Sequence, residues 1–120
     1  MKASAIIKCS ILLIGLSLAV GYYFYNLSLR NKIQLENTGS VPWNNIELKA
    51  GGRYFKVDHL DSGGTKRFLF HSRSEDGGIV TGYIRENIFK SKLGYFTPNL
   101  SVDMTILLND DGDIIIKEKL

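Results

Sequence analysis

The sequence predicts an all-β domain behind one N-terminal transmembrane helix: a small antiparallel β-sandwich of about seven strands. Three observations predict it. Residues 9–29 carry no charged side chain. From Lys32 onward apolar residues alternate with polar ones over short runs, and none of these runs holds the i, i+3, i+4, i+7 spacing of an amphipathic helix. Clusters of Gly, Asn, Asp and Ser break the alternation roughly every ten residues, as turns do between short strands.

The helix comes first. At about 1.5 Å per residue, the uncharged run Cys9 to Leu29 spans roughly 30 Å, the thickness of a bilayer's hydrocarbon core. It ends in Tyr22, Tyr23, Phe24 and Tyr25, rings suited to a membrane interface because one end is apolar and the other wet. The expected organisation is a tail at 1–8, a signal-anchor helix at 9–29, a linker at 30–32 and a folded domain at 33–120. A cleaved secretory signal is the competing form. Lys2 and Lys8 supply its basic start, and Ser17-Leu18-Ala19 or Ala19-Val20-Gly21 its small residues. The aromatic cluster beyond those sites favours the uncleaved anchor, because a discarded peptide has no use for it. Cys9 does not fit a lipoprotein signal, since the apolar stretch follows it instead of preceding it. A short tail followed by a folded domain favours the N-terminus inside and the domain outside, periplasmic or extracellular, on a cell membrane.

The strands follow in order. Ile33 and Leu35 form the first, closed by Asn37-Thr38-Gly39-Ser40. Ile46 and Leu48 form the second, before Gly51-Gly52; Phe55 and Val57 the third, before Asp61-Ser62-Gly63-Gly64. Phe68 and Phe70 form the fourth; Val80 and Ile84 lie in the fifth. Val102, Met104, Ile106 and Leu108 face Ile114 and Ile116 across Asn109-Asp110-Asp111-Gly112, an Asp-Gly hairpin signal. These sixteen apolar residues are the expected core. At roughly 1.5–3 kcal/mol each for full burial they suffice for a domain of this size without metal or disulfide. Charged outer positions argue for antiparallel sheets wetted on one side.

The segment Asn37-Thr38-Gly39-Ser40-Val41-Pro42, leading into Trp43-Asn44-Asn45-Ile46-Glu47-Leu48, resembles the junction of the first two strands in immunoglobulin-like domains of envelope proteins. The resemblance implies an immunoglobulin-like sandwich and carries no catalytic motif.

Charge excludes one class of function. Net charge is +3, yet residues 1–31 hold Lys2, Lys8 and Arg30 without an acid. The remaining residues are balanced at twelve basic and twelve acidic side chains, which argues against a nucleic-acid partner. A lone cysteine excludes an internal disulfide and a cysteine zinc site. Asn109-Asp110-Asp111-Gly112-Asp113 fails the EF-hand pattern, because aligning its glycine puts Leu107 at the first ligand position. His59 and His71, with Asp58 and Asp61, are the only other metal or acid–base candidates, and two histidines cannot build a three-histidine zinc site. There is no Gly-x-Ser-x-Gly, and the paired glycines read as turns, so neither an enzyme nor a cofactor is expected.

The candidate contact segment is 87–99, read either as a contact loop or as a short strand at 88–93 with Phe89 or Leu93 packed inside and the lysines outside. Phe89, Tyr95 and Phe96 stand among Lys90 and Lys92, and aromatics beside cations grip partners. Trp43, after Pro42, reads as a plug at one end of the sandwich. Asn26-Leu27-Ser28 and Asn99-Leu100-Ser101 match the glycosylation pattern. The expected function is a membrane-anchored, non-enzymatic interaction module, an accessory or structural subunit of an envelope complex. Its partners are the bilayer and an unidentified envelope protein. The alternative is a secreted or anchored binder of a small molecule or glycan, using the sandwich's end loops.

Overall fold

The computed structural model describes residues 2–28 and 30–119, with side chains inside the helix described for residues 6–26. Leu29, the last residue of the expected span, and the Leu27 and Ser28 side chains of the first glycosylation pattern lie outside the described residues. The helix α1 covers Lys2–Ser28, and the stretch Ile6–Asn26 within it is long and apolar enough to cross a membrane. None of that stretch packs under the rest of the chain. Its two described serines turn their hydroxyls back onto the helix: Ser10 donates to the Ile6 carbonyl at 3.0 Å and Ser17 to the Leu13 carbonyl at 2.9 Å. Such internal bonding suits an apolar solvent, which offers a hydroxyl no other partner.

Eight strands follow: β1 Asn31–Asn37, β2 Trp43–Ala50, β3 Arg53–Leu60, β4 Thr65–Phe70, β5 Asp76–Ile84, β6 Asn87–Phe96, β7 Asp103–Leu108 and β8 Ile114–Glu118. They form two four-stranded sheets, sheet A in the order β4-β1-β7-β8 and sheet B in the order β3-β2-β5-β6. The extra strand relative to the expected seven is β6, which extends the short strand the sequence offers at 88–93, with Phe89 and Leu93 inside and Lys90 and Lys92 outside. All pairings are antiparallel except one: β1 and β7 run parallel, from Lys32 against Asp103 to Asn37 against Leu108. This departs from the all-antiparallel expectation for a simple reason. A short turn forces its two strands antiparallel, but β1 and β7 are joined by a long detour through sheet B, which leaves their direction free.

The core lies between the sheets. Of the expected sixteen residues, eleven are buried, and Phe55, Phe68, Val102, Ile114 and Ile116 pack half-buried against them. The core also takes in Trp43, Ala50, Leu60, Leu93 and Phe96. Trp43 and Phe96 enter through breaks in the alternation. The β2–β5 register shifts between Asn44 and Glu47, where Asn45 takes a positive φ of 47°, so Trp43 and Ile46 both point inward although three positions apart. The β5–β6 register shifts between Lys92 and Tyr95, so Leu93 and Phe96 also share the inner face. An extra residue in one strand inverts the phase of everything beyond it.

Two buried asparagines fasten the ends of β1. The Asn31 side chain donates to Ser72 Oγ at 3.0 Å and accepts from the Val102 N–H at 2.8 Å. That of Asn37 donates to the Val41 carbonyl at 2.8 Å and the Leu60 carbonyl at 3.0 Å, and accepts from the Gly39 N–H. Asn31 ties the β4–β5 loop to the β6–β7 loop, and Asn37 ties the β1–β2 loop to the end of β3.

The β7–β8 connection is a hairpin loop, but its five residues close around Asn109 and not around a two-residue Asp-Gly turn. Asn109 Oδ1 accepts from the Asp111 and Asp113 N–H groups at 3.0 and 2.9 Å, and only Gly112 takes a positive φ, 83°. An Asn side chain mimicking a backbone turn achieves the reversal. The neighbouring Asp110 then reaches across to the β1–β2 loop. Its carboxylate accepts from Ser40 Oγ at 2.7 Å, from the Ser40 N–H at 2.8 Å and from the Val41 N–H at 3.1 Å. These bonds, the Ser40 hydroxyl first, hold its carboxyl below the ordinary aspartate range. A depressed folded pKa means stability present above the unfolded value, roughly pH 4, and lost as pH falls through the folded one. Asp110→Asn is therefore expected to lower the urea midpoint at neutral pH, and the gap from the parent chain should close in acid. A gap that persists in acid would show that the carboxylate's charge is not what holds the loop.

Candidate functional site

The outer face of sheet B is built from three rows of side chains, one from each strand in register. Tyr54, Lys49, Ile79 and Lys92 form the first row, and Lys56, Glu47, Thr81 and Lys90 the second. His59, Asn44, Tyr83 and Ile88 form the third. Alternation puts these residues outside because their neighbours Leu48, Val80 and Leu93 are in the core. Four lysines against Glu47 and Asp58, the latter 3.8 Å from Lys56, leave the face cationic. Between the rows runs a shallow groove of about 310 Å³ lined by Glu47, Lys49, Ile79, Thr81, Tyr83, Ile88 and Lys90.

Polar contacts order one side of this face. Tyr54 donates its hydroxyl to Glu47 Oε1 at 2.9 Å, which raises the phenol's pKa above its ordinary value, and Lys49 lies over the Tyr54 ring at 5.9 Å. The opposite side is the strand β6, the last in its sheet, with Ile88 54% exposed at the groove's rim. A terminal strand beside a groove offers an incoming chain both main-chain pairing and side-chain contact.

The sequence-derived contact residues divide between outside and inside. Lys90 and Lys92 stand on the outer face, and Lys90 lines the groove. Tyr95 is 60% exposed, but its hydroxyl donates to Glu75 Oε2 at 3.0 Å, which raises its pKa and ties it to the β4–β5 loop. Phe96 is a correction: it is wholly buried, its ring 6.1 Å from that of Phe70. Phe89 is half-buried on the inner side, tilted against Trp43 at a centroid distance of 5.6 Å. Ile88 lies in the candidate contact segment without being one of its expected contact residues, and Tyr83 and Ile79 lie outside it. Their outward direction depends on the pairing of β2, β5 and β6, although the alternation of Ile88 with Phe89 was a usable signal.

Trp43 is fully buried, with its indole N–H donating to the Asn109 carbonyl at 3.1 Å. The two histidines lie at opposite ends of the sandwich. His59 sits between Asn44 Oδ1 and Asp61 Oδ1, whereas His71 Nε2 lies 2.7 Å from the Asn26 carbonyl of α1. Among the described residues no three of His, Cys, Asp and Glu are grouped to hold a metal. Tyr22, Tyr23, Phe24 and Tyr25 are all exposed on the last turns of α1.

No protein-family model and no curated protein matches the sequence. Among solved structures the fold is similar to the NMR structure of a protein from Eubacterium rectale. The TM-score is 0.52 at 20% identity over 75% of this chain and 88% of that one. Weaker likenesses are to pneumolysin, with a TM-score of 0.43 at 7% identity over 76% of this chain and 23% of that chain, and to the human-specific toxin intermedilysin, with a TM-score of 0.41 at 9% identity over 76% and 23%. What the first likeness defines is the fold, a two-sheet β domain.

Proposed function

We propose that this chain is a single-pass membrane protein whose β-sandwich is a non-enzymatic interaction module on the extracytoplasmic side, gripping an envelope protein across the outer face of sheet B. The observation that carries the reading is the groove on that face beside the terminal strand β6. It joins an exposed apolar residue, Ile88, to a tyrosine and two lysines on three paired strands. The excess of lysines over Glu47 and Asp58 favours an acidic partner surface, since complementary potential steers encounter and rejects wrong partners. The exposed apolar span of α1, with its internally bonded serines and terminal aromatic cluster, supports anchoring.

We further read the sandwich as immunoglobulin-like. The order β3-β2-β5-β6 facing a β4-β1 pair follows the strand succession of such a domain, with β7 and β8 added where its first strand would lie. In that reading residues 37–48 join the second and third strands of the pattern, one step later than the sequence resemblance implies.

A photo-crosslinking side chain placed in turn at 88, 90 and 34 in the full chain, in intact cells, tests the proposal. The expected result is one discrete adduct from 88 and 90 and none from 34, which lies on the outer face of sheet A. Exchanging Lys90 and Lys92 together for glutamate should cut the adduct at 88 roughly tenfold or more, because like charges across an interface are costly. Adducts of equal yield from 34, or none from 88 and 90, would overturn it. The groove's volume favours a small-molecule or glycan binder as the second reading. That reading expects a ligand-dependent rise in melting temperature with no protein adduct.

A further inference from the structure

We infer that the end of the sandwich next to α1 carries a binding site for phosphate, filled by the headgroup of an anionic phospholipid from the bilayer that holds the helix. The inference rests on the anchored reading above. Its ground is a second cleft, of about 470 Å³, formed by Arg30, Lys32, Leu69, Val102, Asp103 and Lys119, with Ser101 at its rim. The strand register explains how these residues meet. Leu69, Lys32 and Asp103 are direct neighbours across β4, β1 and β7, and the Lys119 N–H bonds the Asp103 carbonyl at 2.8 Å. Arg67, Gln34, Thr105 and Lys117 form the next row on the same outer face. Five cations therefore surround the cleft and its neighbouring row, against Asp103 alone.

Position assigns the anion's source. Arg30 follows α1 almost directly, and four extended residues from Asn26 reach at most roughly 14 Å. The Asn26 carbonyl, next to the aromatic cluster Tyr22–Tyr25, bonds His71 in the loop that follows β4. With the aromatics at the interface, His71 and the cleft stand at headgroup depth. The same end exposes two leucines, Leu69 at 47% and Leu100 at 63%. Cations framing exposed leucines fit a surface of phosphates over acyl chains better than an aqueous anion, which gains nothing from leucine.

The test uses the full chain in nanodiscs of phosphatidylcholine alone, and of phosphatidylcholine mixed with phosphatidylglycerol. Amide hydrogen exchange is read at 67–72 and 99–105. Protection at these segments is expected to rise severalfold in the anionic discs, roughly fivefold per engaged cation, and to fall at high salt. Lys32→Gln combined with Lys119→Gln should abolish the rise while exchange in the β5–β6 hairpin stays unchanged. Inorganic phosphate added to phosphatidylcholine discs should not reproduce it. Equal protection by inorganic phosphate would overturn the lipid assignment in favour of a soluble anion. Retention in both discs without any rise would overturn the site and leave the anchor standing. Failure to remain in discs of either kind would overturn the anchor, and the lipid site with it.

Discussion

Trp43→Ala is expected to destabilise the sandwich by about 3–5 kcal/mol, the range for truncating a large aromatic in a close-packed core. The tryptophan is wholly buried, leans on Phe89, and closes over Gly82, where an added Cβ would stand 2.8 Å from its Cε3. Removing it empties a space that two sheets have built around and strips the Asn109 carbonyl of its indole donor. Since whole domains are held by about 5–15 kcal/mol, the variant should be partly unfolded at ambient temperature. Gly82→Val attacks the same contact by overfilling it and keeps the chain's single tryptophan as a reporter. Urea titration of the full chain in detergent, followed by circular dichroism for the first variant and tryptophan emission for the second, measures both. A loss under about 1 kcal/mol in each would show that this end of the core repacks freely.

The second large effect is expected at Asn37. Replacing it with alanine leaves the Val41 and Leu60 carbonyls and the Gly39 N–H without the partner that now satisfies them. Unmade bonds at buried groups cost about 1–3 kcal/mol each, and some relief from water at the partly buried Val41 side brings the expected loss to about 3 kcal/mol. Asn37→Asp separates the hydrogen bonds from the shape. It keeps the acceptor facing Gly39 but sets a carboxylate oxygen against two carbonyls, so it should be at least as damaging at neutral pH. Protonation restores one donor. Its folded pKa is raised, so the penalty is present at pH above the folded value and relieved as pH falls through it. Denaturant midpoints of both variants at neutral and acid pH check this; a pH-independent loss in the aspartate variant would sink the account.

Both residues also mark how far the chain could be read without its tertiary structure. Asn37 was legible as the end of a strand and the start of a turn, but nothing local said that its side chain would be buried between the β1–β2 loop and the end of β3 in the other sheet. Trp43 was legible as an end plug, and its burial agrees, yet strict alternation would have set it opposite Ile46. The same failure put Phe96 on a contact surface. In each case an extra residue shifts the pleat by one, and the signal is faint: an asparagine that tolerates positive φ at 45, a glycine at 94. Of the candidate contact residues, Lys90 and Lys92 keep their outward place because they precede the β6 bulge. Phe89 turns inward with the same alternation, and Phe96 lies beyond the bulge.

By itself the sequence determined the apolar span, the β class, the strands, with the one at 88–93 competing against a loop, most of the core and the Asn109–Asp113 reversal. These are properties of neighbours along the chain, set by side-chain period and turn chemistry. Only the tertiary structure decided which strands adjoin across long separations, β1 with β4 and with β7, and β2 with β5. It also decided which side chains the bulges turn inward. Those pairings assemble the outer-face groove and the cationic cleft from residues tens of positions apart. Closing such long loops is driven by the collective burial of the core between the two sheets, a quantity no local stretch of sequence carries.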